Sequence, residues 1–285
     1  MLSRCKHIIR FVLIAFLVIS STSCTRWREA KAVIAEADSL LGKGVIMRDT
    51  TALRFAINTL DGPLGYVFAK QDQAKAYYFM GRNFYYLNDF STAADYYILC
   101  DQLNPKDPLY RGRINSCMGF LCKQDSCFEE ALEFYSRSSC AFKESENEWY
   151  YAHNLLNVAE QYVNLREYAK ADSVLDIAKD YEIDSAYYAR MVDVKALALY
   201  NQQLYDSALV HLLSIENYPR NMEARCYSYQ MIMQVYNLLN EHDTAIKYAR
   251  YIITNSKNPN YRSNAYYHLI NDAKFNNDLE HISLH

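Results

Sequence analysis

The stretch that decides the fold is YYFMGRNFYYLNDFSTAADYYILCDQLNP, residues 77–105, in which Gly81 precedes Ala93 by twelve residues. The same spacing recurs at four further pairs of mostly small residues: Gly119 and Ala131, Ala159 and Ala171, Ala196 and Ala208, and Met233 and Ala245. Residues at the same place in successive copies form a column, and the members of these pairs form the small column of each helix. A second kind of column lies nine residues after the first member of each pair and contains Phe90, Phe128, Tyr168, Tyr205 and His242. Two columns that agree over five copies indicate an array of repeats.

Each copy predicts two helices joined by a short turn. In the first copy, residues 74–87 and 91–103 have apolar side chains at helical spacing, and Asn88 and Asp89 separate them. The prolines all fall between predicted helices, at positions 63, 105, 108, 219 and 259. The chain has only seven glycines, which predicts few tight turns and little room for phosphate-binding loops. The fold class is therefore all-α, with each helix pair burying its apolar face against the next.

The unit that begins at Ala74 resembles the tetratricopeptide repeat (TPR) family. It matches that family's spacing at Tyr77, Met80, Gly81, Phe84, Ala93, Tyr97 and Pro105, with Cys100 as a further small residue. The resemblance implies a TPR-like α-solenoid of antiparallel helix pairs that forms a right-handed superhelix. It divides the chain into a divergent helical repeat at 24–73, five repeats at 74–262 that start near residues 74, 112, 152, 189 and 226, and an incomplete repeat at 263–285.

The first 23 residues have the layout of a secretory signal. Three basic residues and no acid precede the apolar run FVLIAFLVI at 11–19, which is too short to span a bilayer as a helix. The small polar residues at 21–23 before Cys24 resemble the box at which bacterial lipoproteins are cleaved and lipidated. We therefore expect a lipoprotein-type signal peptide at 1–23, a lipid on Cys24, and an exported protein anchored to a membrane of the bacterial cell envelope. Plain secretion and an uncleaved anchor are the alternatives.

The charge balance argues against nucleic acid as the partner. Without the signal segment, 27 basic residues face 33 acidic ones, whereas phosphate binding draws on a basic excess. The sequence contains no GxxxxGK[ST], HExxH or GxSxG motif, so we expect no catalysis, no cofactor and no small-molecule substrate.

The TPR resemblance also implies a binding groove, lined by first-helix residues at fixed offsets from the small column. In the first two repeats these positions hold Lys75, Tyr78, Arg82, Tyr85, Tyr86, Arg113, Phe120 and Lys123, and in the next two they include Glu160, Arg190 and Asp193. The groove is therefore expected to be basic and aromatic in front, with acids added in the middle. The lysine–asparagine pattern by which some TPR proteins clamp a terminal carboxylate is absent, since Tyr78 and Arg82 occupy its first two places.

Three other groups of residues invite a chemical interpretation. Cys117, Cys122 and Cys127 are compatible with packing, with disulfides or with a metal, although zinc sites usually have a tighter spacing and a second pair of ligands. His281 and His285 form a weak candidate metal pair near the chain end. The glutamates at 144, 146 and 148 predict a solvated connector rather than catalytic carboxylates.

These features favour a non-catalytic, membrane-tethered scaffold that binds a protein or an extended peptide, with aromatic and arginine side chains as anchors. It resembles the repeat modules of membrane-tethered bacterial regulators. The alternative is a lipoprotein that assists envelope or outer-membrane assembly, and a glycan-uptake accessory protein or an enzyme is a more distant one.

Overall fold

The computed structural model describes residues 70–181 and 183–275, together with Arg28 and Ala32. The predicted signal peptide, Cys24, nearly all of the divergent repeat and the pair His281 and His285 lie outside the described residues. Within the described part, no helix is long and apolar enough to cross a membrane.

The only regular secondary structure in the two long described ranges is helical, which confirms the all-α prediction. In chain order they are α1 (Lys70–Tyr86), α2 (Phe90–Gln102), α3 (Pro108–Gln124), α4 (Phe128–Glu144), α5 (Glu148–Asn164), α6 (Tyr168–Ala178), α7 (Ser185–Asn201), α8 (Tyr205–Ser214), α9 (Met222–Leu238), α10 (His242–Asn255) and α11 (Pro259–Phe275). The odd-numbered helices are the first helices of their pairs, and they begin about four residues before the predicted repeat starts. The aromatic column predicted from the sequence supplies the first residue of each second helix, from Phe90 to His242.

The described chain divides into two compact units. The N-terminal unit contains residues 70–127 and 140–146, and the C-terminal unit contains 128–139, 147–181 and 183–275. The N-terminal unit has one apolar core around Tyr78, Met80 and Tyr97. The core of the C-terminal unit includes Leu156 and Leu175 among α5, α6 and α7, and Ile232 and Ile252 among α9, α10 and α11.

Polar residues before the first helices explain where these helices begin. Asp107, Asn147, Asp184 and Asn221 are the N-caps of α3, α5, α7 and α9, and each side chain accepts a hydrogen bond from a backbone N–H of the first turn. Pro108 and Pro259 are the first residues of α3 and α11, where the missing N–H costs no helical hydrogen bond. The prediction that prolines stay outside helix interiors is thus confirmed for the described residues.

The prediction of few tight turns was wrong. Three residues connect each first helix to its second helix, and the middle one has a positive φ of 60–63° at Asn88, Ser126, Arg166, Gln203 and Asn240. The next residue donates its N–H to a carbonyl five positions back, as in Glu167 to Tyr162 at 2.8 Å and Leu204 to Leu199 at 2.9 Å. These are Schellman-type helix ends in which non-glycine residues hold the left-handed conformation that usually calls for glycine.

Glycine at two of these turns is expected to relieve backbone strain. The left-handed conformation costs a residue with a Cβ about 1 kcal/mol, so the free energy of unfolding of Arg166→Gly or Gln203→Gly should exceed that of a glycine variant at an unstrained turn position by about that amount. Urea unfolding followed by circular dichroism would measure the change. Gln202→Gly is the matched control, because Gln202 has a φ of −86°, so glycine there relieves no strain, adds chain entropy to the unfolded state and removes the hydrogen bond of the Gln202 amide to the Ala198 carbonyl. A Gln203→Gly variant no more stable than Gln202→Gly would contradict the strain at this turn.

The small columns mark where helices approach most closely. The alanines at 93, 131, 171 and 208 are 0% exposed, and a Cβ built on Gly81 would lie only 2.6 Å from Cε1 of Tyr97. The structure also reveals a second small column at the predicted repeat starts, which consists of Ala74, Gly112, Ala152, Ala189 and Cys226. A Cβ on Gly112 would overlap the Phe142 ring, so a larger side chain would push the two helices apart.

Candidate functional site

In the N-terminal unit, basic side chains of α1 and α3 lie over aromatic rings. The Lys75 Nζ is 5.2 Å from the centre of the Tyr110 ring, and the Arg113 guanidinium is 5.8 Å from the same ring. Arg82 donates hydrogen bonds to the hydroxyl oxygens of Tyr78 at 2.8 Å and Tyr86 at 2.7 Å. Lys75 and Arg113, two of the predicted groove residues, thus share the Tyr110 ring, and the contact of that ring with Tyr78 links them to Arg82, a third. We refer to this arrangement on α1 and α3 as the basic surface.

Tyr78 itself is not an exposed binding residue, and that expectation was wrong. Its side chain is 1% exposed and belongs to the core of the N-terminal unit. The ring packs edge-on against Tyr110, with the centroids 5.5 Å apart. Burial raises the pKa of the Tyr78 hydroxyl well above the ordinary tyrosine range, so this hydroxyl stays neutral when it accepts from Arg82. The offset from the small column identified the correct helix face, but the neighbouring first helix covers the residue.

The other aromatic candidates of this unit are half-buried and contact each other. Tyr85 makes edge contacts with Phe120, at 5.1 Å between centroids, and with Tyr86, at 5.2 Å. Each of the three rings keeps part of its area in solvent, as does the side chain of Lys123. Partly exposed rings beside cations are a combination that occurs often at binding hot spots.

In the C-terminal unit, the predicted residues lie in a polar cluster on adjacent first helices. Arg190 of α7 donates to Oδ1 of Asn157 of α5 at 2.5 Å, and its guanidinium is 3.8 Å from the Glu160 carboxylate. The Arg190 side chain is 38% exposed, whereas that of Glu160 is 12% exposed. Amide, carboxylate and guanidinium groups here provide both hydrogen-bond donors and acceptors at one solvent-reachable place. We call Asn157, Glu160, Arg190 and Asp193 the polar cluster.

Asp193 lies on the buried side of this cluster, so it too is not an exposed groove residue. It is 4% exposed, and Ser228 of α9 donates its hydroxyl to Oδ1 of Asp193 at 2.5 Å. Arg220, which precedes α9, donates to that serine oxygen at 2.6 Å and comes within 3.5 Å of Oδ2 of Asp193. Burial raises the pKa of the Asp193 carboxyl to about 6, against the opposing effects of Ser228, Arg220 and Arg190.

The Arg220 side chain is the most enclosed cation of this network. It is 1% exposed, and its Nε and Nη2 atoms meet no acceptor among the described residues. Desolvation lowers the pKa of the Arg220 guanidinium, although the Asp193 charge opposes this. Burial therefore destabilises the charged forms of both the guanidinium and the carboxylate, although each group stabilises the charge of the other.

Sequence reasoning missed several residues of both sites. Tyr110 and Ser228 lie outside the offsets used for the groove, and Arg220 lies in a connection between repeats, where those offsets do not apply. Tyr227 could have been found, because it lies six residues before Met233, the small-column position of the fifth copy. Burial is the main reason why the pKa of Tyr227 lies well above the ordinary tyrosine range. The nearby carboxylates of Glu160 and Asp193 raise this pKa further.

The cysteines do not form a chemical site in the described part of the chain. The six described cysteines form no disulfide with one another, and Cys100 and Cys226 are buried. Burial raises the pKa of the Cys100 thiol to about 12, which fits the predicted packing role. No cluster of three potential metal ligands occurs among the described residues. The glutamates at 144, 146 and 148 are exposed, as a solvated connector requires.

Comparison with known proteins supports a TPR-like fold. No family model and no curated protein matches the sequence, but solved structures do. The apo form of the quorum sensor NprR from B. thuringiensis aligns with a TM-score of 0.68 at 12% identity, covering 86% of this chain and 70% of that one. A tetratricopeptide repeat protein from Parabacteroides merdae aligns with a TM-score of 0.61 at 16% identity, covering 86% and 88%.

Two of the similar structures are complexes, one of them with a peptide. NprR in complex with its cognate peptide NprX gives a TM-score of 0.66 at 12% identity, covering 84% of this chain and 71% of that one. A Rap protein complexed with competence and sporulation factor gives a TM-score of 0.60 at 16% identity, covering 89% and 74%. At these identities the likeness is one of fold.

Proposed function

We propose that this chain is a non-catalytic scaffold that binds an extended peptide, as the sensor or interaction module of a regulatory system. The observation that carries the proposal is the polar cluster, in which the partly exposed Arg190 joins two adjacent first helices through Asn157 and Glu160. An extended peptide has unpaired backbone N–H and C=O groups, and side-chain amides and guanidinium groups can pair with them. The fold that the chain shares with NprR and Rap adds support, because NprR was solved with its cognate peptide NprX and Rap with competence and sporulation factor.

The geometry is suited to peptide capture because hydrogen bonds within the protein hold the side chains of the polar cluster in place. Asn154, three residues before Asn157 on α5, donates to the Tyr135 carbonyl at 2.7 Å and to the Ser139 hydroxyl at 2.8 Å. Asn157 donates in turn to Oδ1 of Asn154 at 3.4 Å. Side chains ordered in the free protein lose less conformational entropy on binding, which favours affinity.

A peptide library displayed on phage, with twelve random residues, would test the proposal. Selection on the purified protein should enrich sequences, and the best of them, made with a fluorescent label, should bind in anisotropy titrations. Arg190→Ala and Asn157→Ala should each weaken this binding at least about tenfold, the cost of a lost charge-assisted hydrogen bond. Arg250→Ala on the exposed side of α10 is the matched control and should leave binding unchanged. No enrichment, or full binding by Arg190→Ala, would contradict the assignment.

We also propose that the protein is exported and tethered to a membrane by a lipid on Cys24. The support is the basic start, the short apolar run and the small residues before this cysteine. Mass spectrometry of the protein from membranes of a bacterial host should find Cys24 as the first residue with a large apolar modification. A Cys24→Ala variant should then leave the membrane fraction. An unmodified cysteine in the mature protein would contradict the anchor.

A further inference from the structure

Charge is segregated between the two helices of the first pair and continues onto the next first helix. The first helices α1 and α3 contain six basic residues and one acidic residue. The second helix α2 contains two aspartates and no basic residue. The first helices α5, α7, α9 and α11 of the C-terminal unit are balanced, with five basic and five acidic residues. The basic excess is therefore specific to the basic surface and is not a property of first helices in general.

Arg82 is a half-buried cation in a neutral surrounding. Two of its N–H groups donate to the hydroxyl oxygens of Tyr78 and Tyr86. Burial raises the pKa of the Cys117 thiol, a further neighbour, so this group is also neutral. Within the described residues, Arg82 forms no ion pair with a carboxylate. A cation that is partly removed from water and lacks a counter-ion gains free energy when an anion arrives.

The second cation of α1 has a similar situation. Lys75 is half-buried, it lies over the Tyr110 ring, and no carboxylate of the described residues pairs with it. The half-buried rings of Tyr85, Tyr86 and Phe120 on the same two helices offer apolar contact area between and beside the cations. The surface therefore combines separate positive charges with rings.

We infer that the basic surface binds an acidic peptide, whose Asp or Glu carboxylates pair with Arg82 and Lys75 while neighbouring residues contact the rings. This inference rests on the proposed function and adds the chemical class of the ligand. The two tyrosine hydroxyls hold the guanidinium in a fixed position, and its remaining N–H groups can donate to a carboxylate in the planar geometry that arginine favours. A peptide fits better than a nucleic acid, because the basic region covers only two helices of a chain with a net charge of −3.

Defined peptides test the charge preference without knowledge of the natural partner. The probe is a fluorescein-labelled peptide of twelve residues in which glutamate and alanine alternate, and matched peptides replace glutamate with glutamine or lysine. At low salt, anisotropy titrations with the full chain should show the glutamate peptide binding at least about tenfold more tightly than the glutamine peptide, and the lysine peptide not binding. This preference should weaken as the salt concentration rises, because exposed charges are screened.

Variants then locate the site. Arg82→Gln should weaken the glutamate peptide about tenfold, to the level of the glutamine peptide, and Lys75→Gln should weaken it about threefold. Arg137→Gln is the matched control, since Arg137 is exposed and pairs with Glu133 of its own helix. Thermal melts would show whether Arg82→Gln folds normally, and if it does not, Lys75→Gln still tests the surface.

Three results would overturn the inference. These are equal binding of the glutamate and glutamine peptides, binding by both variants like that of the unmodified protein, and equally tight binding of a twelve-residue oligothymidylate. A fourth result separates the two proposals. If phage selection yields neutral peptides that need Arg190 but not Arg82, the proposed peptide-binding function stands and the acidic-ligand inference fails.

Discussion

Arg220→Met is expected to lower the free energy of unfolding by about 3–5 kcal/mol at pH 7.5, the cost of removing one partner of a buried ion pair. The methionine roughly fills the space of the aliphatic stem, so the loss comes mainly from the charge that stays behind. The Asp193 carboxylate would keep only the Ser228 hydroxyl and the more distant Arg190 as favourable neighbours. Urea unfolding of the variant and the unmodified protein, followed by circular dichroism, would measure the difference.

A combined variant distinguishes this explanation from a simple loss of packing. Arg220→Met, Asp193→Leu and Ser228→Ala together remove every polar member of the network, and a buried ion pair replaced by apolar residues is often neutral or stabilising. The triple variant should therefore recover most of the stability that Arg220→Met loses. If it is as unstable as the single variant, the arginine stem rather than the charge stabilises the region. A single variant that loses less than about 1 kcal/mol would show that the network contributes little.

The helix positions were predictable because close helix contacts leave a clear trace in a sequence. Ala93 and Ala171 are 0% exposed, so a larger side chain at either position would need the surrounding helices to shift. A column of small residues therefore persists from copy to copy, and its period gives the repeats. The column at Gly112 and Ala152 was used only to mark repeat starts, although the structure shows that it is a packing column as well.

The turns could not be predicted from composition. The left-handed residues include Arg166 and Gln203, which have no special preference for this conformation, so nothing in the sequence marks them. The hydrogen bonds of the helix ends and the packing of the flanking helices outweigh a local cost of about 1 kcal/mol. A low glycine content thus affects which residues form a turn, but it does not prevent the turn from forming.

The binding surfaces were predictable only as far as their helix face. The offsets from the small column placed Tyr78 and Arg82 on the same side of α1, and the structure agrees that they are in contact. How far a residue on that face is covered depends on the size of side chains on the next first helix, such as Tyr110. The position of a residue within its own repeat does not give the size of the side chains that cover it. Arg220 was unpredictable for another reason, since it belongs to a connection and reaches a network built by two other helices.

The stability of the protein should depend on pH through Asp193. Its pKa is raised from 3.8 to about 6 by burial, so between these values the folded protein binds more protons than the unfolded chain. This contribution to the free energy of unfolding is therefore fully present below about pH 4 and is lost as the pH rises through 6. One pKa unit corresponds to about 1.4 kcal/mol, which gives a loss of about 3 kcal/mol for a side chain that is almost completely buried.

Asp193→Asn isolates this effect from the titration of other acids. The asparagine can still accept the Ser228 hydrogen bond through its amide oxygen, but it carries no titrating proton. Unfolding of both proteins should be measured between pH 4 and pH 7.5. The stability of the unmodified protein relative to Asp193→Asn should fall by about 2.5 kcal/mol over this range, because the unfolded carboxyl is already partly ionised at pH 4.

The direction of the change is what tests the buried carboxyl. The exposed Asp176 is the matched control, because its hydrogen bond with Lys179 lowers its pKa. The stability of the unmodified protein relative to Asp176→Asn should therefore rise with pH, and by less. A constant difference between the unmodified protein and Asp193→Asn would mean that Arg220 and Ser228 stabilise the carboxylate at least as well as water does. A difference that rises with pH at the acid end of the range, near pH 4, would mean that they stabilise it better, and the buried network would then hold Asp193 mostly charged over the whole range.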